Sequence, residues 1–390
     1  MPDLTRRQAI AGSGAAAMLL TGHASASPPA RSLDAALTAI AAKLVTDAGS
    51  AGVGLGVGGE GRAPLLIARG SANLETGSPV TPATVFRIAS CTKQFTAATV
   101  LLLAEQGKLA LDAPIDTIFP GFPAHPGGAR PTVHQLLSHI SGIHDYVMGG
   151  LPADAGDAWR YDPARAQVIA RMTPLYDFAP GTRWNYSNSN YVLLGALIEK
   201  LTGRSYGDFV EATLFRPLGM TSTALDHHQD LVRHRASGYG LLGNKPGAFH
   251  NAWYAGLPVA EGGLRSTTGD LLRWNAALFG GRVLTADSLK KMTTAVTVAG
   301  GIPSGSARFV PPGQNPGKPP AFVEQADYGY GLEISRMFGH PVIWHSGGYS
   351  GFNSILMHFP DRKLDVVMLT NTDNGAVPGF EPVLRAVLTG

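Results

Sequence analysis

Residues 90–108, SCTKQFTAATVLLLAEQGK, constrain the fold more than any other stretch because they are apolar on nearly every side. A helix that is hydrophobic all round has to be buried, so this segment predicts a helix in the middle of the protein. Gly107 is suited to end that helix, and Lys108 complements the negative end of the helix dipole. The rest of the chain is therefore expected to surround residues 90–108.

The first turn of this helix carries Ser90 and Lys93. Residues three apart lie on one face of a helix, so the lysine ammonium can reach the serine hydroxyl. A lysine near a core helix is costly unless it has a partner or its pKa falls. A lysine of lowered pKa beside a serine is a base beside a nucleophile, which makes the pair a candidate catalytic site. On local pattern alone, Ser90 could equally be a simple helix cap.

The bulk composition excludes several classes of protein. A chain of 390 residues, 44% hydrophobic and 15% charged, is long enough for one large core or two linked layers. Its net charge of +3 and its lack of a basic run argue against a nucleic-acid partner.

The one cysteine, Cys91, cannot form an intramolecular disulfide. Cys91 points about 100° away from Ser90 around the helix, so we interpret it as a packing residue.

The first 26 residues predict a twin-arginine signal peptide. Arg6 and Arg7 form the arginine pair, a weakly apolar stretch follows, and residues 24–26 (ASA) fit a cleavage site. Such a leader predicts a bacterial protein that is exported to the periplasm or secreted. No long apolar stretch follows the leader, so we expect no stable membrane anchor after its cleavage.

Patterns along the mature chain predict an α/β (α+β) fold. Strands are expected near both ends of the chain, with mostly helical segments between them, so the simplest architecture is an antiparallel sheet flanked by helices and built from both ends. The predicted elements near the ends are a helix at 32–48, strands at 52–59, 64–70, 328–335, 341–345, 352–359 and 364–370, and a helix at 380–388. The predicted divisions are a sheet-and-helix domain (32–110 plus 325–390), a mainly helical domain (111–298) and a Gly/Pro-rich surface loop (299–324).

Gly54, Gly56 and Gly59 formally match the dinucleotide-binding pattern G-x-G-x-x-G. A turn and not a helix follows them, so we reject dinucleotide binding and expect no cofactor. His134, His139 and His144 recur every five residues, which spreads them around a helix, so we expect no metal site. The only G-x-S-x-G, residues 203–207, follows a helix and not a strand, which disfavours a nucleophile elbow.

Five blocks of sequence together resemble a known family. FRIASCTKQFTAATVLLLAEQGKLALDAPI, LLSHISGIHDY, WNYSNSNYVLLGALIEKLTG, EGGLRSTTGDLLRW and WHSGGYSGF look like the blocks of the class C β-lactamase and DD-peptidase superfamily of serine hydrolases. The resemblance covers nearly the whole mature chain, in the family's order. It implies three motifs: Ser-x-x-Lys, Tyr-x-Asn, and a basic residue-x-Gly on a strand.

The second motif is Tyr186-Ser187-Asn188. In the family role, Tyr186 would take or relay the proton between Ser90, Lys93 and the leaving group, while Asn188 would orient Lys93 and bind the substrate amide. The alternative is a turn-forming asparagine in a polar loop, with Tyr186 packing in the core.

The third motif is His345-Ser346-Gly347, which follows the strand signal VIW. Its two competitors, at 125–127 and 245–247, both contain proline, which disrupts a strand. The family's β-lactamases carry lysine at this place. A histidine is about half charged only near pH 6.5, so it would anchor a substrate carboxylate more weakly. A hydrogen-bonded core histidine is the alternative interpretation.

The resemblance implies an acyl-enzyme mechanism. Ser90 would attack a carbonyl, Lys93 and Tyr186 would act as base and acid in an order that the sequence leaves open, and the backbone N–H groups of Ser90 and Gly348 would form the oxyanion hole. The substrate would be a small molecule or peptide: a D-amino acid peptide, an ester or a β-lactam. A binding or sensor protein that acylates without turnover is the alternative function. The oligomeric state is not readable from the sequence.

Overall fold

The computed structural model describes residues 32–156, 159, 164–227, 229–252, 258–310, 322–373 and 380–389. The predicted signal peptide lies outside the described residues. The described helices are Leu33–Thr46 (α1), Thr92–Glu105 (α2), Val133–Leu137 (α3), Arg165–Ala170 (α4), Asn188–Thr202 (α5), Tyr206–Val210 (α6), Thr268–Leu278 (α7), Ala286–Met292 (α8) and Phe380–Thr389 (α9).

The described strands include both long and very short ones. They are Gly52–Gly59 (β1), Leu65–Asn73 (β2), Ser78–Pro79 (β3), Phe86–Arg87 (β4), Ala224–Leu225 (β5), Tyr239–Leu241 (β6), Phe249–Asn251 (β7), Leu264–Ser266 (β8), Thr297–Val298 (β9), Ile302–Pro303 (β10), Val323–Tyr328 (β11), Glu333–Met337 (β12), His340–Tyr349 (β13), Phe352–Phe359 (β14), Leu364–Thr370 (β15) and Thr372–Asp373 (β16).

The main sheet joins the two ends of the chain. Its eight strands run in the order β11-β12-β13-β14-β15-β1-β2-β3, and neighbouring strands are antiparallel. Strand β1 lies between β2 and β15, with Val53 opposite Thr370 and Gly59 opposite Leu364. The predicted fold class, an antiparallel sheet built from both chain ends and flanked by helices, is confirmed.

The alternating sequence of β1, GVGLGVGG, places different residues on its two faces. Val53, Leu55 and Val57 are buried in the cluster that includes residues of α1 and α9. A Cβ atom added to Gly54 or Gly56 would lie 3.1 or 3.2 Å from side chains of α7. These glycines therefore allow α7 to pack directly on the sheet, which gives the formal G-x-G pattern a structural reason.

The central helix is buried as predicted, although its start differs. Phe95, Val100 and Leu103 are fully buried, on different sides of α2. The α-helix begins at Thr92 and ends at Glu105, because Ala89–Cys91 forms a 3₁₀ turn. The prediction that Ser90 itself begins the α-helix was therefore wrong by two residues.

One strand prediction for the C-terminal part was also wrong. The strand predicted at 328–335 is the end of β11, a turn at Gly331 with φ +66°, and the start of β12. Residues 299–310, predicted as surface loop, contain β10 and the 3₁₀ turns Ala299–Gly301 and Ser304–Ser306. Ser304 is fully buried, and its hydroxyl accepts a hydrogen bond from the Tyr328 amide at 2.9 Å. Residues 311–321 of the predicted loop lie outside the described residues.

The region 111–298 contains helices α3 to α8 together with the short strands β5 to β9. No helix among the described ranges combines the length and apolar character that a membrane crossing requires.

Candidate active site

Ser90 lies in the 3₁₀ turn between strand β4 and helix α2. The preceding residue, Ala89, has φ +44°, a left-handed conformation that costs energy for a residue with a Cβ atom. The turn is held from the sheet side, where the Ser354 hydroxyl donates to the Ile88 carbonyl at 2.6 Å. The sheet thereby fixes a strained turn that presents the serine hydroxyl.

Lys93 is fully buried, and its ammonium nitrogen Nζ has three hydrogen-bond partners. It lies 3.2 Å from Ser90 Oγ, 2.8 Å from Asn188 Oδ1 and 2.6 Å from the carbonyl oxygen of Glu261. Burial lowers the pKa of Lys93 to about 7, and the nearby carboxylates of Glu261 and Asp145 oppose that shift. The structure therefore contains the contact between the Lys93 ammonium and the Ser90 hydroxyl that the sequence predicts.

Asn188 begins helix α5 and is oriented by Asp145. Its backbone N–H and its Nδ2 both donate to the Asp145 carboxylate, each at 3.1 Å. Because a carboxylate accepts and does not donate, the Asn188 amide nitrogen must face Asp145 and its oxygen must face Lys93. Burial raises the pKa of Asp145, while hydrogen bonds and Lys93 oppose the rise.

Glu261 contributes to the site through its backbone as well as its charge. Its carboxylate is 2% exposed and accepts hydrogen bonds from the Tyr146 hydroxyl at 3.0 Å and the Val259 amide at 3.1 Å. These contacts fix the residue whose carbonyl binds Lys93. Asp145 and Glu261 were not among the predicted site residues, although both stand in blocks that carry the family resemblance.

Tyr186 covers Lys93 on the cleft side. The ammonium lies 4.7 Å from the centre of the Tyr186 ring. The Tyr186 hydroxyl is buried and forms no hydrogen bond with any described residue. Burial raises the pKa of Tyr186 well above its ordinary value, and the neighbouring Ser90 side chain opposes this only in part. The phenol therefore keeps its proton at neutral pH.

His345 occupies the predicted place on β13, but both of its ring nitrogens are engaged. Nδ1 lies 2.5 Å from the Ser346 carbonyl oxygen, and Nε2 lies 2.9 Å from the Tyr328 hydroxyl. A carbonyl only accepts, so Nδ1 carries the proton and Nε2 accepts from the tyrosine. Burial, followed by the charge of Lys93, lowers the pKa of His345 to about 3. The imidazole is thus neutral at pH 7.

The two glycines after His345 differ in environment. Gly347 is buried against the nucleophile turn, and a Cβ atom added there would lie 2.3 Å from the Ile88 carbonyl and 2.9 Å from the Ser90 nitrogen. Gly348 is exposed, and a Cβ atom there would meet only Asn353 Oδ1, at 3.5 Å. Gly347 therefore permits close packing, while Gly348 faces the open side.

These groups meet at a cleft of about 730 Å³. Ser90, Tyr186, His345 and Gly348 line it, while Lys93 lies buried beside Ser90 and Asn188 lies behind Lys93. The other lining residues are Trp184, Pro303, Gly305, Ser306, Arg308, Val323, Glu324, Gln325, Ala326, Asp327, Tyr328, Glu333 and Ser346. Residues 303–308, part of the segment predicted as a surface loop, thus form one wall.

The histidines considered as metal ligands have separate partners. His134 Nδ1 lies 2.7 Å from the Tyr330 hydroxyl, and His144 Nδ1 lies 2.7 Å from the Asp177 carboxylate. Within the described ranges, no three His, Cys, Asp or Glu side chains are placed to hold a metal ion together.

Comparison with known protein families identifies the family of this chain. A family model described as Beta-lactamase matches residues 37–388. The chain belongs to the Beta-lactamase family. The family resemblance inferred from the sequence blocks is therefore confirmed, and the Ser90–Lys93 pair occupies the place of the Ser-x-x-Lys motif on which that inference rested.

Similar proteins within this family carry several names. A D-aminopeptidase of Gluconobacter oxydans is 28% identical over 91% of this chain and 62% of its own length. Penicillin-binding protein 4* of Bacillus subtilis is 28% identical over 78% of this chain and 64% of its own length. This chain spans about three fifths of the length of these curated relatives.

Solved structures of the family superpose over nearly the whole chain. D-amino acid amidase of Ochrobactrum anthropi in complex with D-phenylalanine has a TM-score of 0.74, with 26% identity and coverage of 92% of this chain and 99% of that chain. The octameric penicillin-binding protein homologue of Pyrococcus abyssi also has a TM-score of 0.74, with 26% identity and coverage of 92% and 77%.

Proposed function

We propose that this chain is a serine hydrolase that cleaves an amide or ester through an acyl-enzyme on Ser90. The observation that carries the proposal is the contact of a buried lysine with a serine hydroxyl, 3.2 Å between Lys93 Nζ and Ser90 Oγ, where burial lowers the lysine pKa to about 7. A lysine of this pKa is partly unprotonated at neutral pH and can accept the serine proton.

The hydrogen bonds of Lys93 favour it as the initial base. Neutral lysine has two N–H groups, which Asn188 Oδ1 and the Glu261 carbonyl can accept, so its lone pair faces Ser90 Oγ. Ser90 loses its proton to Lys93 while Oγ bonds to the substrate carbonyl carbon. Tyr186, whose pKa is raised by burial, starts as a neutral phenol. It then passes a proton to the leaving group as the carbonyl re-forms, and Lys93 returns a proton to Tyr186.

Water completes the reaction by the reverse sequence. It attacks the acyl carbonyl, gives a proton to the site base, and releases the product acid as Ser90 regains its hydrogen.

The backbone N–H groups of Ser90 and Gly348 are proposed as the oxyanion hole. Ser350 and Gly351 form a two-residue turn between β13 and β14, so the flanking pair Tyr349–Phe352 is hydrogen-bonded and the next pair, Gly348–Asn353, is not. This register directs the Gly348 N–H away from β14, toward the side where β12 no longer pairs with β13. Each such donor is typically worth about 2.7–4 kcal/mol of transition-state stabilisation.

The charge of the site favours D-amino acid amides and short peptides over β-lactams. His345 is neutral and engaged at both nitrogens, so it supplies no positive charge for a substrate carboxylate beside Ser90. The names of similar proteins, D-aminopeptidase and D-amino acid amidase, support the same substrate class.

Export is proposed on the sequence of residues 1–26 alone. Replacing Arg6 and Arg7 by lysine, followed by fractionation of the producing cells, would test it. Export through the twin-arginine route predicts that the variant accumulates inside the cell, whereas unchanged export would reject that route.

Turnover and acylation together test the proposed reaction. We would measure rates with a p-nitrophenyl ester, nitrocefin, D-alaninamide and a D-Ala-D-Ala peptide, and the mass of the protein after each incubation, for the mature chain and Ser90→Ala. We expect many turnovers of an amide or ester that Ser90→Ala abolishes. A stable adduct on Ser90 without turnover would favour the binding or sensor function. Activity that survives in Ser90→Ala would refute the nucleophile.

A further inference from the structure

The lining of the cleft carries an excess of negative charge. The charged residues that line it within the described ranges are Glu324, Asp327, Glu333 and Arg308. Three carboxylates against one guanidinium make the cleft attractive to a cation.

Two of these carboxylates are used by the protein itself. Glu324 is exposed, accepts a hydrogen bond from the Gly339 amide at 2.7 Å and lies 3.8 Å from the Arg336 guanidinium. Asp327 is 5% exposed and accepts hydrogen bonds from the Gly305 amide at 2.8 Å and from the Gln325 side chain. Their acceptor capacity supports the local structure.

Glu333 is different. It is half-buried, and its backbone pairs with β11 and β13. Its carboxylate lines the same cleft as Ser90 and forms no hydrogen bond or ion pair with any residue in the described part of the chain. A carboxylate removed from much of its water and left without a donor is costly, so a group that has this environment at a ligand cleft is a candidate for ligand binding.

The charge of Glu333 acts at the reaction centre. Burial is the main cause that raises the pKa values of Tyr186 and of Cys91, the residue next to the nucleophile, and the negative charge of Glu333 adds to both shifts. Burial raises the pKa of Glu333 itself to about 7, and the charge of Arg308 opposes this. Arg308 forms no ion pair with Glu333, and its guanidinium lies 5.6 Å from the centre of the Trp184 ring.

We propose that Glu333 binds a free ammonium group on the substrate, so that the cleft selects amides or peptides with an unblocked amino group. This inference rests on the proposed function and names its substrate class. A cation that donates to a half-buried carboxylate supplies the missing hydrogen bonds and charge at once. Acylation of that amine would remove the charge and leave Glu333 without a partner.

Matched substrates and variants test the role of Glu333. We would compare kcat/KM for D-alanine p-nitroanilide and N-acetyl-D-alanine p-nitroanilide in the wild type, Glu333→Gln and Glu333→Asp. The control is Glu60→Gln, which removes an exposed carboxylate on the β1–β2 turn, outside the cleft. Glu333→Gln should lower kcat/KM for the free amine at least about tenfold, the usual range for a lost charged hydrogen bond, and change the acetylated substrate less than about twofold. Glu333→Asp keeps the charge and should retain part of the preference.

A binding measurement separates this inference from the proposed reaction. Titration calorimetry on Ser90→Ala, with D-phenylalaninamide and N-acetyl-D-phenylalaninamide, needs no turnover. We expect tighter binding of the free amine, lost when Glu333→Gln is added.

The two proposals fail in different ways. Equal binding of the two amides to Ser90→Ala, or no binding of either, would overturn the role of Glu333, even where the wild type hydrolyses both anilides. The role of Glu333 would also be overturned if Glu333→Gln, like the neighbouring variant Arg308→Ala, lowered kcat/KM by the same factor for both anilides. Such a result would indicate that the Glu333 side chain only supports the structure of the cleft wall. The reverse result is also possible: activity could survive in Ser90→Ala while the preference for a free amine is lost in Glu333→Gln. That result would reject the acyl-enzyme reaction on Ser90 and support ammonium binding by Glu333.

Discussion

The carboxylate of Asp145 holds both the backbone and the side-chain amide nitrogen of Asn188, each at 3.1 Å, and so turns the Asn188 oxygen toward Lys93. The pair acts as a support for the proposed base. Asp145 also favours the charged form of Lys93, so it opposes the effect of burial on the lysine pKa. Two consequences of replacing Asp145 can therefore be measured separately.

Asp145→Asn should lower kcat/KM by up to about a hundredfold, because misplacement of a catalytic group by one ångström has effects of that size. Removal of the negative charge should also lower the Lys93 pKa further, so the acid limb of the pH profile should move to lower pH. Asp154→Asn is the control, since Asp154 is an exposed partner of Arg171 and should leave both quantities unchanged. If kcat/KM fell but the acid limb of the pH profile did not move, the proposed effect of the Asp145 charge on the Lys93 pKa would be contradicted.

Under the proposed mechanism, the hydrolytic activity of the wild-type protein should increase as pH rises through about 7. The sign follows from the chemistry, because a general base acts when it has lost its proton and burial brings the Lys93 pKa down to about 7. Glu333, whose pKa is raised to about 7, titrates in the same range, so the profile should also be measured in Glu333→Gln with a substrate that lacks an amine. The limb should persist there. A limb found only near pH 10, the ordinary range of lysine, would contradict the lowered pKa of Lys93 on which its role as a base at neutral pH depends.

Tyr186→Phe should lower kcat by a factor of about 10²–10⁴, the usual range for a positioned proton-transfer group. The variant should be at least as thermally stable as the wild type. The reason is that the buried hydroxyl has no hydrogen-bond partner among the described residues, so its removal leaves no other group unpaired. Tyr191→Phe is the matched control, because the Tyr191 hydroxyl donates to the Leu137 carbonyl at 2.8 Å and its loss should destabilise the fold by about 1 kcal/mol. A comparable thermal loss in both variants would contradict this assignment.

Gly347→Ala and Gly348→Ala should behave differently although they are neighbours. The added methyl at Gly347 would collide with the Ile88 carbonyl and the Ser90 nitrogen, so we expect a loss of about 1–3 kcal/mol of stability and of most activity. At Gly348 the methyl has ordinary contact with Asn353, so the thermal midpoint should stay near that of the wild type. Thermal unfolding followed by circular dichroism measures both, and equal stability of the two variants would refute the packing role of Gly347.

The sequence was sufficient to predict the fold class and those site residues that are close together along the chain. Ser90 and Lys93 are one helical turn apart, and Tyr186 and Asn188 belong to a single short motif, so spacing alone could suggest that each pair acts together. Asp145 and Glu261 reach Lys93 or Asn188 only through contacts across 43 and 168 residues, which no local pattern encodes. For the same reason the composition of residues 299–310 suggested a surface loop, whereas distant hydrogen bonds to Asp327 and Tyr328 bury Ser304.

Strand β1 lies between β2 and β15, so residues made early and late in synthesis are neighbours in the sheet. The serine and lysine are translated long before the β13–β14 hairpin that packs against their turn. A growing or truncated chain that lacks this hairpin contains both reactive side chains without the support that holds them in place. The proposed hydrolytic activity should therefore report that synthesis has passed the β13–β14 hairpin, because fragments that end before β13 would be inert even with Ser90 and Lys93 present.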